Sequence, residues 1–268
     1  MVTVYFAGGL GNQMFQVAAA YNLAKNNNDE AIFDFNISHT PLQGNEIKKY
    51  KNNIFKEFKH STDLVIENIF SQSGHSYEHI PYKKNLQLQG FFQSEKFFIE
   101  NKLEITKKIL NGIKNDDKKY GEVISWLNAI SDQYDNLPIV VIHVRRGDYL
   151  KFPHIHTTCS IDYYEEALNT MESKIGKFIP IFISDDKNWC LQNFKNIKCL
   201  VSPFEDEIED LILMVNAHSN IIANSSFSWW GAYLNQNKNK IVIGPKTWFG
   251  PGGPQDQEDT IPNNWIKL

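Results

Sequence analysis

The chain has 268 residues, a formal net charge of −4 and 42% hydrophobic residues. This content is enough for a packed core and excludes wholesale disorder, and the slightly acidic balance argues against a dedicated nucleic-acid-binding protein. The length allows one large domain or two modest ones. Among the 27 basic residues, 25 are lysines, and the two arginines, Arg145 and Arg146, are adjacent.

Three cysteines without a Cys-x-x-Cys pair fit a reducing compartment and give little support to a structural zinc site. The N-terminal segment has no basic region before its short apolar run, so it is more typical of a strand than of a signal peptide. No apolar run is long enough for a transmembrane helix. We therefore expect a cytoplasmic protein, and peripheral membrane association stays open.

The chain opens with a βαβ pattern and then becomes irregular. The predicted elements are a strand at residues 2–7, a turn at 8–13, a helix at 14–25 and a strand at 31–35. Residues 38–135 are rich in lysine and asparagine, and their pattern indicates two weak helices, near residues 94–111 and 118–133.

The second half alternates apolar strands with amphipathic helices. The predicted strands are residues 138–144, 180–184, 197–201, 220–223 and 240–244, and the predicted helices are residues 160–175, 187–194, 205–218 and 227–234. Ser160 is a suitable cap for the first of these helices. Strands that alternate with helices indicate an α/β fold with a parallel sheet, here in two units with a boundary near residues 133–138.

The first candidate site is the glycine-rich segment Gly8–Gln13 between a strand and a helix. Its backbone N–H groups suit an anion, and Asn12 and Gln13 suit a sugar hydroxyl or a phosphate. A dinucleotide fingerprint with Asp34 as the ribose ligand fails, because Met14 stands where the third glycine belongs. A tight β–α turn without a ligand is the alternative.

The second candidate is the segment from His143 to Tyr149 at the end of the most apolar strand. Ligands gather at that end of strands in open α/β sheets, and arginine suits bidentate binding of phosphate. Strand alternation would turn His143 and Arg145 to one face and Arg146 to the other. The alternative is a structural ion pair between Arg146 and Asp148.

Two further segments lie where a strand passes into a helix. One is Asn224–Gly231, whose hydroxyls and backbone amides form a potential phosphate cradle. The other contains Asp185 and Asp186, whose carboxylates would either accept from guanine or cap the next helix. An Asp-x-Asp pair is a typical signature of a divalent metal site, and the 15 aspartates include none. We therefore expect cationic side chains and helix dipoles to take the place of a metal ion.

These segments, in this order, resemble glycosyltransferase family 11, the α-1,2-fucosyltransferases. The stretches that carry the resemblance are GGLGNQMFQ at 8–16, HVRRGDY at 143–149, CSIDYYEEAL at 159–168, ISDDKNWC at 183–190, NIIANSSFSWWGAYLN at 220–235 and KIVIGPKTWF at 240–249. The resemblance spans nearly the whole chain but is loose across residues 38–135.

The resemblance implies an α/β fold of the GT-B type, with two Rossmann-like domains facing a cleft. Residues 1–135 would form an N-terminal, acceptor-side domain and residues 136–268 a C-terminal domain that binds GDP-fucose. The implied reaction is inverting, metal-independent transfer of L-fucose from GDP-β-L-fucose to the 2-hydroxyl of a terminal β-galactoside. No cofactor is expected, and the family suggests a role in bacterial surface polysaccharide synthesis.

The resemblance also implies roles for individual residues. Arg145 would neutralise the departing β-phosphate, with His143 and Arg146 in support, and Asp185 or Asp186 would read guanine. The other implied donor-binding residues are Asn224, Ser225, Ser226, Phe227 and Ser228 near the pyrophosphate, and Asn12 and Gln13 from the N-terminal domain. The catalytic base stays open between Asp148, His156, His154 and none.

Two alternatives to the leading hypothesis remain. The first is a fucosyl or deoxyhexosyl transferase that forms another acceptor linkage. The second is a sugar-nucleotide or glycan-binding module without turnover, which would bind GDP-fucose and release no GDP. The expected partners are GDP-fucose and a galactose-terminated oligosaccharide, and no nucleic acid.

Overall fold

The computed structural model describes residues 1–37, 45–195, 197 and 199–268. It divides into two units. The first unit contains residues 1–116 and 255–262, and the second contains residues 117–254 and 263–268. Each unit is built on a parallel β-sheet, as the alternating pattern of strands and helices predicts.

The first unit has a small parallel sheet. Its elements are β1 (Val2–Val4), α1 (Leu10–Asn26), β2 (Asn68–Ser71), β3 (Leu86–Gln89) and α2 (Lys102–Lys114). The strand order is β1-β3-β2. In α1 every residue from Leu10 to Ala20 is buried, so this helix lies inside the unit rather than on its surface.

The prediction for the start of the chain is partly wrong. Helix α1 begins at Leu10, so the predicted turn over residues 8–13 is confined to the glycines: Gly8 has a φ of 73° and Gly9 is the extended N-cap. The predicted strand over 31–35 is reduced to two isolated bridges, at Ala31 and Phe33, because the chain there meets β1 at a single residue.

The irregular region also holds more order than its composition indicates. Strands β2 and β3 are short and partly polar, and the predicted helix over 94–111 starts as two 3-10 turns before α2. Part of the region, residues 38–44, lies outside the described residues.

The second unit is a larger three-layer arrangement. Its elements are α3 (Asp117–Gln133), β4 (Ile139–Val144), α4 (Ile161–Ile175), β5 (Ile179–Ser184), α5 (Lys187–Asn193), β6 (Leu200–Val201), α6 (Glu207–Asn216), β7 (Ser219–Ile221), α7 (Ser226–Leu234), β8 (Val242–Gly244) and β9 (Ile266–Lys267). The predicted element types match, except that β9 was not expected and β6 begins later than residue 197; residue 198 lies outside the described residues.

The six strands of the second unit run parallel in the order β6-β5-β4-β7-β8-β9. This is the strand order of dinucleotide-binding Rossmann folds, in which the chain direction across the sheet reverses between β4 and β7. Those two strands are in register, with Val141 opposite Asn220 and Ile142 opposite Ile221. Ligands bind at the carboxyl ends of such strands, so the segments after β4 and β7 define the candidate site.

The core and the helix caps explain why this unit folds as the sequence predicts. Val140, Ile142 and Phe182 are buried on the central strands against Tyr164 and Met171 of α4. The Ser160 side chain accepts from the N–H of Tyr163 at 3.2 Å, which confirms the predicted cap. Strands covered on both faces need continuous apolar runs, and those runs are what the sequence displays.

The boundary between the units falls after residue 116, whereas the sequence placed it between residues 135 and 136. The difference is helix α3, which packs on α6. The Tyr120 hydroxyl donates to the Asn216 amide oxygen at 3.2 Å, and the Trp126 ring meets the Phe204 ring edge-on at 5.7 Å. These contacts place α3 with the second unit, and they depend on residues too distant in sequence for local patterns to reveal.

Candidate active site

Strand β4 ends at a buried histidine. His143 is 5% exposed, and its carbonyl accepts from the Tyr164 hydroxyl at 3.1 Å. Burial, with a smaller effect from the charge of Arg145, holds the pKa of His143 well below its usual range. Its Nδ1 atom has no hydrogen-bond partner among the described residues. His143 is therefore neutral, and it lies two positions before Arg145 in the chain.

Arg145 lies between two carboxylates. Its Nη2 atom is 2.6 Å from Asp148 Oδ1 and its Nη1 atom is 3.1 Å from Asp185 Oδ2. Its guanidinium carbon also lies 5.4 Å from the centre of the Tyr149 ring. The alternative of a structural ion pair between Arg146 and Asp148 is therefore wrong, because Asp148 pairs with Arg145.

Arg146 rests on an indole ring. Its guanidinium carbon is 4.2 Å from the centre of the Trp189 ring, and its Nε atom is 3.3 Å from Asp186 Oδ2. Its backbone N–H donates to Asp185 Oδ1 at 2.9 Å. Both arginines thus turn toward the segment after β5, and the predicted alternation fails because β4 ends at Val144, before either arginine.

The two aspartates after β5 differ in their contacts. The Asp186 side chain caps α5 by accepting from the N–H of Trp189 at 3.1 Å, which is the capping alternative of the sequence analysis. Asp185 faces Arg145 and the backbone of Arg146. Gly147 permits this approach, because a Cβ atom there would lie 2.7 Å from Asp185 Oδ2.

The formal charges of this cluster are nearly balanced. Two arginines face three carboxylates, so the sum is −1 before any ligand arrives. The Arg145 side chain is 27% exposed and those of Asp148 and Asp185 are 21% and 27% exposed. An anion that reaches Arg145 can therefore replace Asp185, whose side chain is partly exposed, whereas both carboxylate oxygens of Asp148 are buried.

The loop after β7 directs its side chains inward. The Asn224 amide donates to the carbonyls of Thr157 at 2.7 Å and Trp248 at 2.9 Å, and the buried Ser228 hydroxyl donates to the carbonyl of Ser225 at 3.2 Å. These two side chains serve the loop framework, which leaves the Ser225 and Ser226 hydroxyls and the backbone N–H groups as the donors that this segment can offer.

The first turn of α7 supplies those groups. Its N-cap, Ser225, makes no side-chain capping hydrogen bond, and the N–H groups at a helix start have no acceptor within the helix. Phe227 in the same turn lies with its ring 5.6 Å from the His143 ring. The N-terminus of α7 therefore combines open donors with a favourable dipole for an anion.

Tyr149, for which the sequence predicted no role, joins the segment after β4 to the loop before α7. Its hydroxyl donates to the carbonyl of Asn224 at 2.8 Å, which joins the arginine loop to the loop before α7. Its ring stacks on the His156 ring at 4.5 Å with an interplanar angle of 18°. Burial raises the pKa of Tyr149, so the hydroxyl stays protonated as a donor.

The histidines considered as catalytic bases differ in their environments. His156 is held between Tyr149 and Phe249, whose ring lies 6.1 Å away, and burial lowers the pKa of His156. The side chain is thus uncharged near neutral pH and able to accept a proton. His154 is exposed, and its carbonyl accepts from the N–H of Gly252 at 2.8 Å.

Asn12 and Gln13 lie in the first turn of α1, in the first unit. The Asn12 amide oxygen accepts from the Gln93 amide at 2.7 Å. The Gln13 amide donates to the carbonyls of Gly8 at 2.9 Å and Asn45 at 3.0 Å, and its oxygen is buried without a hydrogen bond among the described residues. Both side chains are buried, and their expected contact with a donor stays a prediction.

Over the described residues, no group of three or more histidine, cysteine, aspartate or glutamate side chains could hold a metal ion. In the same part of the chain, no helix combines the length and the apolar character that crossing a membrane requires.

The family model of glycosyl transferase family 11 matches residues 1–268. The chain belongs to glycosyl transferase family 11. This match confirms the resemblance that the motifs indicated. It supports a glycosyltransferase over the alternative of a binding module without turnover.

Two bacterial relatives match this chain along nearly their whole length. An O-antigen biosynthesis glycosyltransferase, WbnK, from Escherichia coli is 31% identical, with 98% of each chain covered. An alpha-1,2-colitosyltransferase from Escherichia coli is 29% identical, with 100% of this chain and 99% of the relative covered. A galactoside 2-alpha-L-fucosyltransferase from Caenorhabditis elegans is 26% identical over 100% of this chain and 79% of its own.

Solved structures confirm the predicted GT-B fold class of this family 11 chain. The fucosyltransferase NodZ from Bradyrhizobium superposes with a TM-score of 0.51 at 11% identity, covering 87% of this chain and 93% of its own. POFUT1 in complex with GDP gives a TM-score of 0.52 at 12% identity, covering 90% and 97%.

The sequence patterns singled out no role for two residues of the candidate site. Trp189 stands inside the quoted stretch ISDDKNWC, and Tyr149 ends the stretch HVRRGDY. A large aromatic side chain so close to a polar loop was the available signal. Trp189 contacts Arg146, 43 positions away, and Tyr149 contacts Asn224, 75 positions away, so local patterns do not report these contacts.

Proposed function

We propose that this family 11 glycosyltransferase moves L-fucose from GDP-β-L-fucose to the 2-hydroxyl of a terminal β-galactoside. In this proposal the anomeric configuration inverts and no metal ion takes part. The names of the relatives support transfer of fucose or a related deoxy sugar in α-1,2 linkage. The donor phosphates would bind at the carboxyl ends of β4 and β7.

The observation that carries the proposal is the meeting of Arg145 and the start of α7 at one edge of the sheet. Strands β4 and β7 are adjacent and parallel, and the hydrogen bond from Tyr149 to Asn224 joins the loops that follow them. A guanidinium and a helix N-terminus are complementary to a diphosphate, because one gives paired charged donors and the other gives aligned N–H groups.

The proposed chemistry uses Arg145 as the electrostatic partner of the leaving group. The bond between fucose C1 and the β-phosphate oxygen breaks, and the acceptor 2-hydroxyl oxygen bonds to C1 from the opposite face. Negative charge grows on the departing GDP, so a preorganised guanidinium strengthens its contact as the bond breaks. Such a contact is typically worth ~3–4 kcal/mol.

His156 is the stronger candidate for the base that takes the proton of the acceptor hydroxyl. Asp148 is paired with Arg145 at 2.6 Å, whereas burial keeps His156 uncharged. A neutral imidazole near physiological pH is a suitable general base. A His156→Gln variant should then lose the acidic limb of the pH–rate profile, which Asp148→Asn should retain.

The test is GDP release by the purified protein from GDP-fucose and lactose in a buffer with EDTA. We expect GDP and a fucosylated lactose whose NMR spectrum shows an α-1,2 linkage. Abolition of turnover by the chelator, with recovery on addition of a divalent ion, would contradict the metal-free mechanism. A product with another linkage would contradict the proposed acceptor position.

A second candidate is transfer of colitose, which is L-fucose without its 3-hydroxyl. The observation that favours it is the relative named alpha-1,2-colitosyltransferase, 29% identical over the whole chain. Competition between GDP-fucose and GDP-colitose separates the two. If the chain uses fucose, kcat/KM falls for the deoxy sugar, because the groups that bind the 3-hydroxyl lose their partner.

A further inference from the structure

A polar cavity of about 410 Å³ lies in the first unit, at the C-terminal half of α1. It extends along residues 19–27 of that helix and is closed by segments near residues 77–82 and 96–100. Asn12 and Gln13 lie in the first turn of α1, about 9 Å or more along the helix axis from Ala19, and neither of them lines the cavity. The cavity is therefore separate from the predicted donor-binding residues of this unit.

One wall of the cavity is aromatic. The Tyr77 ring is 4.9 Å from the Phe97 ring, and Tyr77 is 42% exposed while Phe97 is 4% exposed. Ile80 is buried beside them. The wall thus presents a supported aromatic surface with part of the Tyr77 ring open, which suits the apolar face of a pyranose.

The opposite wall offers amide groups with unused hydrogen-bonding capacity. The Asn26 oxygen accepts from the Asn101 amide at 2.8 Å, and the Asn27 amide nitrogen donates to the carbonyl of Leu23 at 2.8 Å. Among the described residues, Asn26 Nδ2 and Asn27 Oδ1 have no partner, so these exposed side chains offer an amide donor group and an amide acceptor oxygen. Neighbouring donors and acceptors of this kind match sugar hydroxyls.

The charged side chains that line the cavity are a lysine in an ion pair and a glutamate that is hydrogen-bonded to a neutral amide. Lys96 forms an ion pair with Asp259, and Glu100 accepts from the Asn22 amide at 2.9 Å. No described lining residue offers an unpaired lysine or arginine to a phosphate. A nucleotide or a phosphorylated ligand therefore has no counter-charge here, while a neutral polar ligand has both an aromatic surface and amide partners.

We propose that this cavity binds a neutral oligosaccharide, as a second glycan site independent of the transferase site. Its volume is at the lower end of known ligand pockets, ~300–1,000 Å³, and suits a disaccharide. One pyranose would lie on Tyr77 while its hydroxyls bond to Asn26 and Asn27. Such a site would hold a longer acceptor chain to the first unit without touching the reacting sugar.

The test is an NMR titration of the labelled full chain with lactose, following the side-chain amide signals of Asn26 and Asn27. We expect these signals to shift at millimolar lactose, while the amide of Asn111, an exposed helical asparagine in the same unit, stays unchanged. Tyr77→Ala should weaken this binding by at least about tenfold, and Tyr77→Phe, which keeps the ring, should retain most of it.

The same titration separates this proposal from the transferase proposal. In Arg145→Ala, transfer should be lost and the Asn26 and Asn27 shifts should persist. Asn26→Leu should weaken lactose binding, whereas the matched control Asn111→Leu should leave it unchanged. Unshifted Asn26 and Asn27 signals, or equal affinity in Tyr77→Ala and the unmodified protein, would overturn the second site whatever the transfer assay shows.

Discussion

The guanidinium carbon of Arg146 lies 4.2 Å from the centre of the Trp189 ring. Because Asp186 caps α5 through the N–H of Trp189 and also approaches Arg146 Nε at 3.3 Å, the start of this short helix fixes the arginine from two sides. The Trp189 indole limits the orientation of the Arg146 guanidinium plane, and the Asp186 carboxylate limits its rotation within that plane. Arg146 is thereby held in one orientation at the carboxyl ends of the strands.

Trp189→Leu should weaken donor binding more than it slows the chemical step. A cation–π contact contributes ~0.5–2 kcal/mol, which corresponds to a rise in the KM for GDP-fucose of about 2- to 30-fold. Trp189→Phe should have a smaller effect because a ring remains. Steady-state kinetics check this, with Trp126→Leu in α3 as the matched control, and identical KM values for both leucine variants would contradict it.

Gly147→Ala should disturb the Arg145 cluster. The new Cβ atom would lie 2.7 Å from Asp185 Oδ2, so the carboxylate must move away from Arg145 and from the N–H of Arg146. We expect a fall in both transfer rate and melting temperature.

The control is Gly121→Ala in α3, where no atom lies within 4 Å of the added Cβ. That substitution should stabilise the protein by ~0.4–1 kcal/mol because alanine favours a helix. A Gly147→Ala protein as active and as stable as Gly121→Ala would show that Asp185 does not need its position.

Tyr149→Phe should destabilise the loops that form the site. It keeps the ring stacked on His156 but removes the donor to the buried carbonyl of Asn224. Leaving an acceptor unsatisfied costs ~1–3 kcal/mol, which we expect as a fall of several degrees in Tm. Tyr120→Phe, which removes an exposed hydrogen bond, is the control, and equal Tm values for the two variants would be the contrary result.

Asp210 gives a pH dependence of stability. Burial raises the pKa of Asp210 to about 7 from 3.8, although the Ser202 hydroxyl donates to it at 3.2 Å. The folded state therefore holds this proton more tightly than the unfolded state, and the contribution to stability is present below pH ~4 and lost as pH rises toward ~7.

Asp210→Asn removes that pH dependence. The Tm difference between the variant and the unmodified protein should shift in favour of the variant as pH rises from 4 to 7, and thermal melts across this range measure it. A constant difference between Asp210→Asn and the unmodified protein would mean that the Asp210 carboxyl titrates alike in both states.

The second unit was predictable because its signals are local. Apolar runs such as Ile139–Val144 are buried on both faces, and Ser160 caps α4 as its position predicts. Strand Leu86–Gln89 was missed because only its leucines face the core while its glutamines are half-buried, so four residues alternate too briefly to stand out. The strand order and the assignment of helix α3 to the second unit depend on contacts between distant segments.

The site was predictable as a set of segments but not as a network. The motif around Arg145 gave the right strand end, and the loops after β5 and β7 were also identified from the sequence. Which carboxylate pairs with which arginine depends on how the chain turns after Val144. Sequence alternation cannot report that turn, and it placed Arg145 and Arg146 on opposite faces although both turn toward the segment after β5.

The most direct measurement is kcat of Arg145→Lys with GDP-fucose and lactose, beside the unmodified protein. Lysine keeps the charge but lacks the planar fork that meets a phosphate, so a role at the leaving group predicts a fall in kcat of about 100- to 1,000-fold. Circular dichroism and Tm confirm that the variant is folded. A folded Arg145→Lys enzyme with kcat within about twofold of the unmodified protein would contradict that role.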